Sequence, residues 1–209
     1  MSQYFEIQAA RPDSRHLSVV ADGLRSGAVI AYPTDSGYAL GCMMGQRRPL
    51  RRIRALRQLK SKHNFTLICR DLSEISQFAR VDNAAYRILK KCTPGGYTFI
   101  LKATQEVPKL MLAAGKKTIG IRIPDHPLAL GISETLGQPI LSTTLILPEQ
   151  KAPLVYAEDV IDAVGDQVDM VIDGGYCGFD PTTVIDFSEG QPIILRQGSG
   201  YADWLQSVE

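Results

Sequence analysis

TIGIRIPDHPLALGISETLGQPILSTTLI, residues 118–146, reads as strand, helix, strand. In TIGIRI the pleat puts Ile119, Ile121 and Ile123 on one face and Thr118, Gly120 and Arg122 on the other. Asp125 is read as the cap of the following helix. Pro127 lies in its first turn, Leu128 and Ile132 on its apolar stripe, and Gly137 beyond its end. PILSTTLI (139–146) is a second strand with a polar step. Upstream, Leu17, Val20, Ala21 and Leu24 recur at helical spacing, with Asp13 or Ser14 as cap and Gly27 as stop. AVIAY (28–32) is a buried strand, and PTDSGYALG (33–41) is read as a loop rich in turn formers. Leu50, Ile53 and Leu56 mark a helix whose other faces are arginine. FTLIC (65–69) and YTFILKA (97–103) are strands, 72–79 and 82–91 helices, and Val107, Leu110 and Met111 a short helix. Residues 148–156 form a surface loop, followed by a helix over 157–164 and strands VDMVID (168–173), TTVIDF (182–187) and PIILR (192–196). Strands alternating with helices predict an α/β layer architecture. The four-residue link SEGQ makes the last two strands antiparallel, so the sheet is mixed. No repeat or long linker divides the chain, which is read as one domain over 1–209 with a core of about 14–200.

Of the 209 residues, 44% are apolar and 22% charged, both near the average for globular domains. No apolar run reaches 18 residues, so no membrane-spanning helix and no membrane partner are expected. MSQYFEIQAARPDSR lacks the basic start and apolar stretch of a secretory signal. Cys42, Cys69, Cys92 and Cys177 are scattered without a C-x-x-C pair, which predicts reduced thiols and a cytoplasmic location. The net charge of +1 conceals a sorting of charge along the chain. Residues 36–70 carry Arg47, Arg48, Arg51, Arg52, Arg54, Arg57, Lys60, Lys62 and Arg70 and no acid, whereas residues 149–209 carry twelve acids and two cations. Such a block reads as a phosphate or nucleic-acid surface, with Arg47, Arg48, Arg51, Arg52, Arg54 and Lys62 as candidate RNA contacts. The alternative is a solvated helix face neutralised by the acidic C-terminal third.

Several local chemistries are missing. GKKT (115–118) lacks the first glycine of a P-loop and runs into a strand. No G-x-G-x-x-G follows the first strand, and His16, His63 and His126 are too far apart to pair on a metal, so each is read as a surface or packing residue. Gly198-Ser199-Gly200 lacks the frame of a nucleophile elbow. What remains is looser anion chemistry. Arg122 beside Thr118 can clamp a carboxylate or phosphate, or form an ordinary salt bridge. The hydroxyls of Ser142, Thr143 and Thr144 can bond phosphate or satisfy local backbone. Arg196, after the apolar PIIL, is a further clamp candidate or a surface residue.

Taken together, these segments resemble the YrdC/YciO family, the small domain of threonylcarbamoyl-adenylate synthases. YPTDSGYALG (32–41) is similar to the family's Y-P-T-D/E-T-x-Y-G-L-G, and TPGGYTFIL (93–101) to its P-G-x-L/Y/V-T block. IGIRIPDHPLA (119–129) resembles V-x-V-R-x-P-x-H-P, and PILSTTL (139–145) falls where the family has P-L/I-x-x-S/T-S-A-N. DGGYCGFDPTTVIDF (173–187) resembles D-G-G-x-x-x-G-x-x-S-T-V-x-D, and IILRQG (193–198) resembles x-I-L-R-x-G. The six blocks run in order from about residue 14 to residue 200. RQLKSKHNFTL (57–67) draws the likeness toward the YciO branch. The long family form carries a C-terminal domain that this chain is too short to hold.

The resemblance implies a single-domain YrdC-like α/β fold, a twisted open mixed sheet flanked by helices, with a concave basic cleft. It also implies a reaction in which bicarbonate and L-threonine form a carbamate that attacks the α-phosphate of ATP. The products, threonylcarbamoyl-AMP and pyrophosphate, serve tRNA modification. ATP enters as a substrate, with or without Mg, and no tightly bound cofactor is expected. By family position, Thr34, Arg122 and Thr182 touch the amino-acid substrate, while Thr118, Ser142, Thr144 and Arg196 touch the nucleotide. Asn64 closes the K-x-R-x-x-x-N stretch, whose cations here are Arg57 and Lys60 or Lys62. Three departures matter. K-x-R reads Arg57-Gln58-Leu59, the S-x-N pair reads Ser142-Thr143-Thr144, and position 69 is Cys where some synthases have histidine. The expectation is therefore a nucleotide- and RNA-binding paralogue of the synthase with weak or altered nucleotidyltransferase activity. The alternative is a non-catalytic module for tRNA or double-stranded RNA. A third reading is an enzyme acting on another carboxylate metabolite. The small-molecule partner is L-threonine or an adenylate.

Overall fold

The computed structural model of the protein describes residues 2–201. In chain order the elements are β1 (Gln3–Glu6), α1 (Ser14–Arg25), β2 (Val29–Thr34), β3 (Gly37–Met43), α2 (Arg47–Leu56), β4 (Thr66–Ile68), α3 (Leu72–Phe78), α4 (Asn83–Cys92) and β5 (Tyr97–Lys102). A single 3-10 turn (Lys109–Met111) precedes β6 (Thr118–Arg122), α5 (Pro127–Leu136), β7 (Ile140–Thr144), α6 (Ala157–Val164), β8 (Met170–Asp173), β9 (Thr183–Asp186) and β10 (Ile193–Arg196). The ten strands form one open sheet in the order β1-β8-β2-β3-β7-β4-β6-β5-β9-β10. It is mixed. β8 lies parallel to β1 and β2, as does β4 to β6 and β5 to β9, and the other pairs, β9–β10 included, are antiparallel.

The structure departs from the sequence reading in three places. PTDSGYALG is not a loop. Pro33 and Thr34 finish β2, Asp35 and Ser36 make the turn, and Gly37 opens β3 with φ of 101°. That φ lies in the left-handed region glycine tolerates. Pro33 is accommodated because its partner Tyr38 donates its N–H away from β2, to the Leu154 carbonyl. The pair is therefore not hydrogen-bonded, and no ladder bond is lost to the missing amide. Second, β1 had no signature. Its side chains are mostly exposed, so main-chain pairing with β8 holds it rather than an apolar face. Third, the cap of α5 is His126, whose Nδ1 accepts from the Ala129 N–H. Pro127 occupies the first helical position, which leaves Asp125 one residue too early.

Two apolar layers sandwich the sheet. On one face Leu50 and Ile53 of α2, Ile75 of α3, Leu89 of α4 and Val160 of α6 pack over Ala31, Leu40, Leu67, Leu141 and Ile121. On the other, Leu17, Val20 and Leu24 of α1 and Leu128, Ile132 and Leu136 of α5 cover Ile30, Tyr32, Ile68, Ile140 and Ile172. The second layer stops part way across. Beyond it the same face carries the register row Ser142–Thr66–Gly120–Ile100, with no helical cover. Leu67 sits at the centre, fully buried on β4 between β7 and β6. Leu67→Ala is expected to cost about 2–5 kcal/mol, lowering the urea midpoint without changing the slope.

Candidate functional site

The uncovered part of that face is a cavity of about 270 Å³, at the small end for ligand pockets. Its walls come from eight strands and the segment before β4. Thr34, Asn64, Arg122, Ser142, Thr144, Thr182 and Arg196, all expected at the site, line it together. Gly120 forms part of the floor. A Cβ there would come within 2.9 Å of the Phe65 carbonyl and 2.7 Å of Thr66 Oγ1, so the close approach of β4 requires glycine.

Arg122 is 5% exposed and already engaged. Its Nη2 donates to Asp35 Oδ1 at 2.5 Å and its Nη1 to Ser36 Oγ at 2.7 Å, tying β6 to the β2–β3 turn. The Nε–H is buried with no partner. Thr34 closes the same turn, donating from Oγ1 to the Gly37 carbonyl at 2.7 Å. Arg196 donates from Nε and Nη2 to the carbonyl and hydroxyl of Thr182, whose Oγ1 also meets Thr98 Oγ1 at 2.9 Å. Burial, and then the charge of Arg122, hold the Arg196 guanidinium below its ordinary value. Two cations thus face one cavity, one of them paired with Asp35. Ser142 Oγ meets the Tyr32 hydroxyl at 2.7 Å, while Asn64 Oδ1 is buried without a partner.

Other expected residues lie elsewhere. Thr118 is on the same face of β6 but lines an adjoining cavity of about 570 Å³ with Lys102, Lys116 and Ser188, its buried hydroxyl unpartnered. Arg57 donates to the Ile146 carbonyl and does not line the cavity, and Lys60 and Lys62 are exposed and do not line it. Within α2, Arg52 pairs with Asp169 at 2.5 Å, and Arg54 lies over the Phe65 ring at 5.0 Å. Arg47, Arg48 and Arg51 are exposed and make no ion pair among the described residues. The four cysteines are free and buried, and burial raises their thiols, Cys42 and Cys177 to about 12. None lines the cavity, so no activated thiol faces it.

Sequence reasoning missed Asp35 and His63. Asp35 carried one signal, an acid in a turn between two buried strands. His63 carried none beyond its place beside Asn64. Its Nε2 lies 3.1 Å from Thr143 Oγ1 and its ring stands edge-on to Phe65, so it forms cavity wall rather than surface. Among the described residues, no cluster of His, Cys, Asp and Glu could hold a metal ion. No helix there is long and apolar enough to cross a membrane.

Burial, then the charges of Arg57 and Arg54, push the His63 imidazole down from 6.5 to about 4. The folded state resists a proton that the unfolded chain accepts. The stabilisation from neutral His63 is therefore complete above pH 6.5 and is lost as pH falls toward 4. His63→Gln should flatten that part of the pH–stability curve in urea unfolding. Parallel curves for the two proteins would mean a solvated imidazole.

The family profile Sua5_yciO_yrdC, described as telomere recombination, matches residues 22–198. The protein YciO of Escherichia coli K12 is 48% identical over 200 residues, covering 96% of this chain and 97% of that one. Its crystal structure superposes with a TM-score of 0.93, over 96% of this chain and 98% of that chain. The threonylcarbamoyl-AMP synthase of Bacillus subtilis is 27% identical over 187 residues, 88% of this chain but 54% of the longer relative. The Sua5 structure from P. abyssi complexed with L-threonine shares the fold, with a TM-score of 0.90 at 23% identity, over 99% of this chain and 60% of that one. The mixed ten-stranded sheet and the matched blocks agree on one conclusion: the chain belongs to the Sua5/YciO/YrdC family.

Proposed function

We propose that the cavity binds ATP and a small amino-acid carboxylate, and that the chain is a paralogue of the threonylcarbamoyl-AMP synthases with weak or altered adenylation. The observation that carries this reading is the pair of guanidinium groups, Arg122 and Arg196, in one hydroxyl-lined cavity. The reaction needs orientation and charge stabilisation more than a nucleophilic side chain. The amine of the amino acid and bicarbonate give a carbamate and water. A carbamate oxygen then attacks the α-phosphorus of ATP, and the bond to the leaving pyrophosphate breaks. In this scheme Arg122 draws the carboxylate, while Arg196, Ser142, Thr144 and Asn64 serve the phosphates. The cation set is thin for a triphosphate, because Arg57 faces a backbone carbonyl and Lys60 and Lys62 lie outside the cavity. Each missing charge-assisted contact is worth about 1.5–3 kcal/mol, or roughly 10–150-fold.

RNA binding is a second reading, supported by the unpaired exposed cations Arg47, Arg48 and Arg51 on α2. Arg52 and Arg54 have structural roles, which narrows the surface to those three with Lys60 and Lys62.

Two experiments test these readings. Protein incubated with ATP, bicarbonate and L-threonine should form threonylcarbamoyl-AMP, detected by mass spectrometry, more slowly than a synthase. Arg122→Lys should reduce it further, since an ammonium cannot reproduce a planar two-bond clamp. Absence of product with threonine and with other amino acids would sink the adenylation reading. For RNA, binding should weaken steeply with salt, and replacing Arg47, Arg48 and Arg51 by glutamine should flatten that slope. An unchanged slope would leave these arginines as a solvated face.

A further inference from the structure

Arg80, Lys109, Lys116 and Lys117 take no part in the cavity of Arg122 and Arg196. They meet instead around the segment 103–117, which leaves β5 and returns to β6 as a loop of Ω type. Its ends are closed by the Ala103 N–H, which donates to the Lys117 carbonyl at 2.8 Å. Three further ties fix its path. The Thr104 N–H donates to the Phe78 carbonyl and the Ala114 N–H to the Ser61 carbonyl, each at 2.9 Å, and Met111 is fully buried. Loop and Arg80 together line a cavity of about 840 Å³, within the usual range for small-molecule pockets. The four cations line it, Val107 and Ala113 contribute apolar wall, and no acid does; Glu106, the loop's own acid, stays outside. All four cations are exposed and none makes an ion pair among the described residues. A hollow lined by charges of one sign concentrates their field, unlike a convex solvated face. The adjoining cavity of about 570 Å³ shares Arg80, Lys116 and Lys117 and adds Lys102, but it also holds Asp186 and Glu189.

We propose that the Ω-loop cavity is a second anion site, which takes a compact polyphosphate: a small molecule with two or more linked phosphate groups. Lys109, Lys116, Lys117 and Arg80 are its charge partners. The site shares no lining residue with the cavity of Arg122 and Arg196, so it stands independently of the function proposed there. No covalent step is involved. The volume has room for several linked phosphates, and the pinned loop loses little freedom when they bind. A small polyanion fits better than a nucleic-acid strand. A longer polyanion running on into the adjoining cavity would meet Asp186 and Glu189. The segment Gly115-Lys116-Lys117, which lacks the frame of a P-loop, thus has a phosphate role of a different kind, through side chains that rim a hollow.

The test titrates tripolyphosphate into the full chain by calorimetry, with sulfate at matched ionic strength as the single-anion control. Tripolyphosphate should bind at least about tenfold more tightly than sulfate, since it can engage two more charge pairs. Lys109→Gln combined with Lys116→Gln should weaken tripolyphosphate by about tenfold, the joint effect of two exposed charge pairs, with melting near the parent. Arg196→Gln should remove any binding in the first cavity and leave this affinity within about twofold. In an NMR titration, the backbone amides of residues 113–117 should shift with the same affinity. No binding at millimolar tripolyphosphate would overturn the proposal, as would equal affinity for sulfate, which would mean screening alone. So would complete loss of binding in Arg196→Gln with none in the lysine pair, which would place the anion in the first cavity. If the lysine pair does not fold, the amides decide, and unmoved amides over 113–117 overturn the proposal. If an RNA duplex binds through these lysines and tripolyphosphate does not bind, the cluster is a nucleic-acid surface and the small-molecule site falls.

Discussion

A pleated strand sends alternate side chains to opposite faces, and one face of this sheet is covered by helices for only part of its width. Under α1 and α5 the inward positions are Ile30, Tyr32, Ile68, Ile140 and Ile172. Further along the same face they become Ser142, Thr66, Gly120 and Arg122, and the cavity opens there. The strands that form it are held from behind. Leu67, Leu141, Ile119 and Ile121 point to the fully packed layer, each worth about 1.5–3 kcal/mol of burial. That support lets the front of the same strands carry polar residues. The site is thus the part of one face that the helices leave open, and its shape follows from where α5 stops.

Electrostatics refine that space. Arg122 is almost completely buried and held by Asp35 and Ser36. A buried ion pair adds little net stability over a well-packed apolar pair, because desolvation offsets the attraction. Its consequence here is placement. The guanidinium is locked to the β2–β3 turn and cannot swing away from the cavity. Arg196 is more exposed and is held by hydrogen bonds to Thr182 rather than by an ion pair. His63, pushed down to about 4, adds an uncharged wall rather than a third cation. Two cations, one of them shared with an acid, thus face the same cavity.

Much of the fold was readable from local pattern. The spacing of Leu17, Val20, Ala21 and Leu24, the alternation of TIGIRI and the short SEGQ link all describe interactions within a few residues. Each appears as read, in α1, β6 and the β9–β10 pair. The failures share a cause. AVIAY reads as the strand it is, but β3 is buried along almost its whole length and shows no alternation, so the turn formers of 33–41 dominate. β1 is held by parallel pairing with a strand more than 160 residues away, which leaves no local mark. The site divides likewise. Arg122, Arg196, Ser142 and Asn64 stood in recognisable blocks and meet in the cavity, whereas Arg57 stood in a block and turned to a backbone carbonyl.

The sequence by itself determined the α/β alternation, the mixed sheet, the family and the polar positions of the strands. These depend on periodicity and on short ordered motifs, which a linear chain displays directly. The tertiary structure alone decided which of those polar groups share a space. Asp35 and Arg122 are 87 residues apart, and His63 and Thr143 are 80 apart. Their meeting depends on strand order and register across β2, β3, β7, β4 and β6. A one-residue slip in any of those pairings would turn the side chains to the opposite face. Register is set by the packing of both faces together, so no local stretch of sequence contains it.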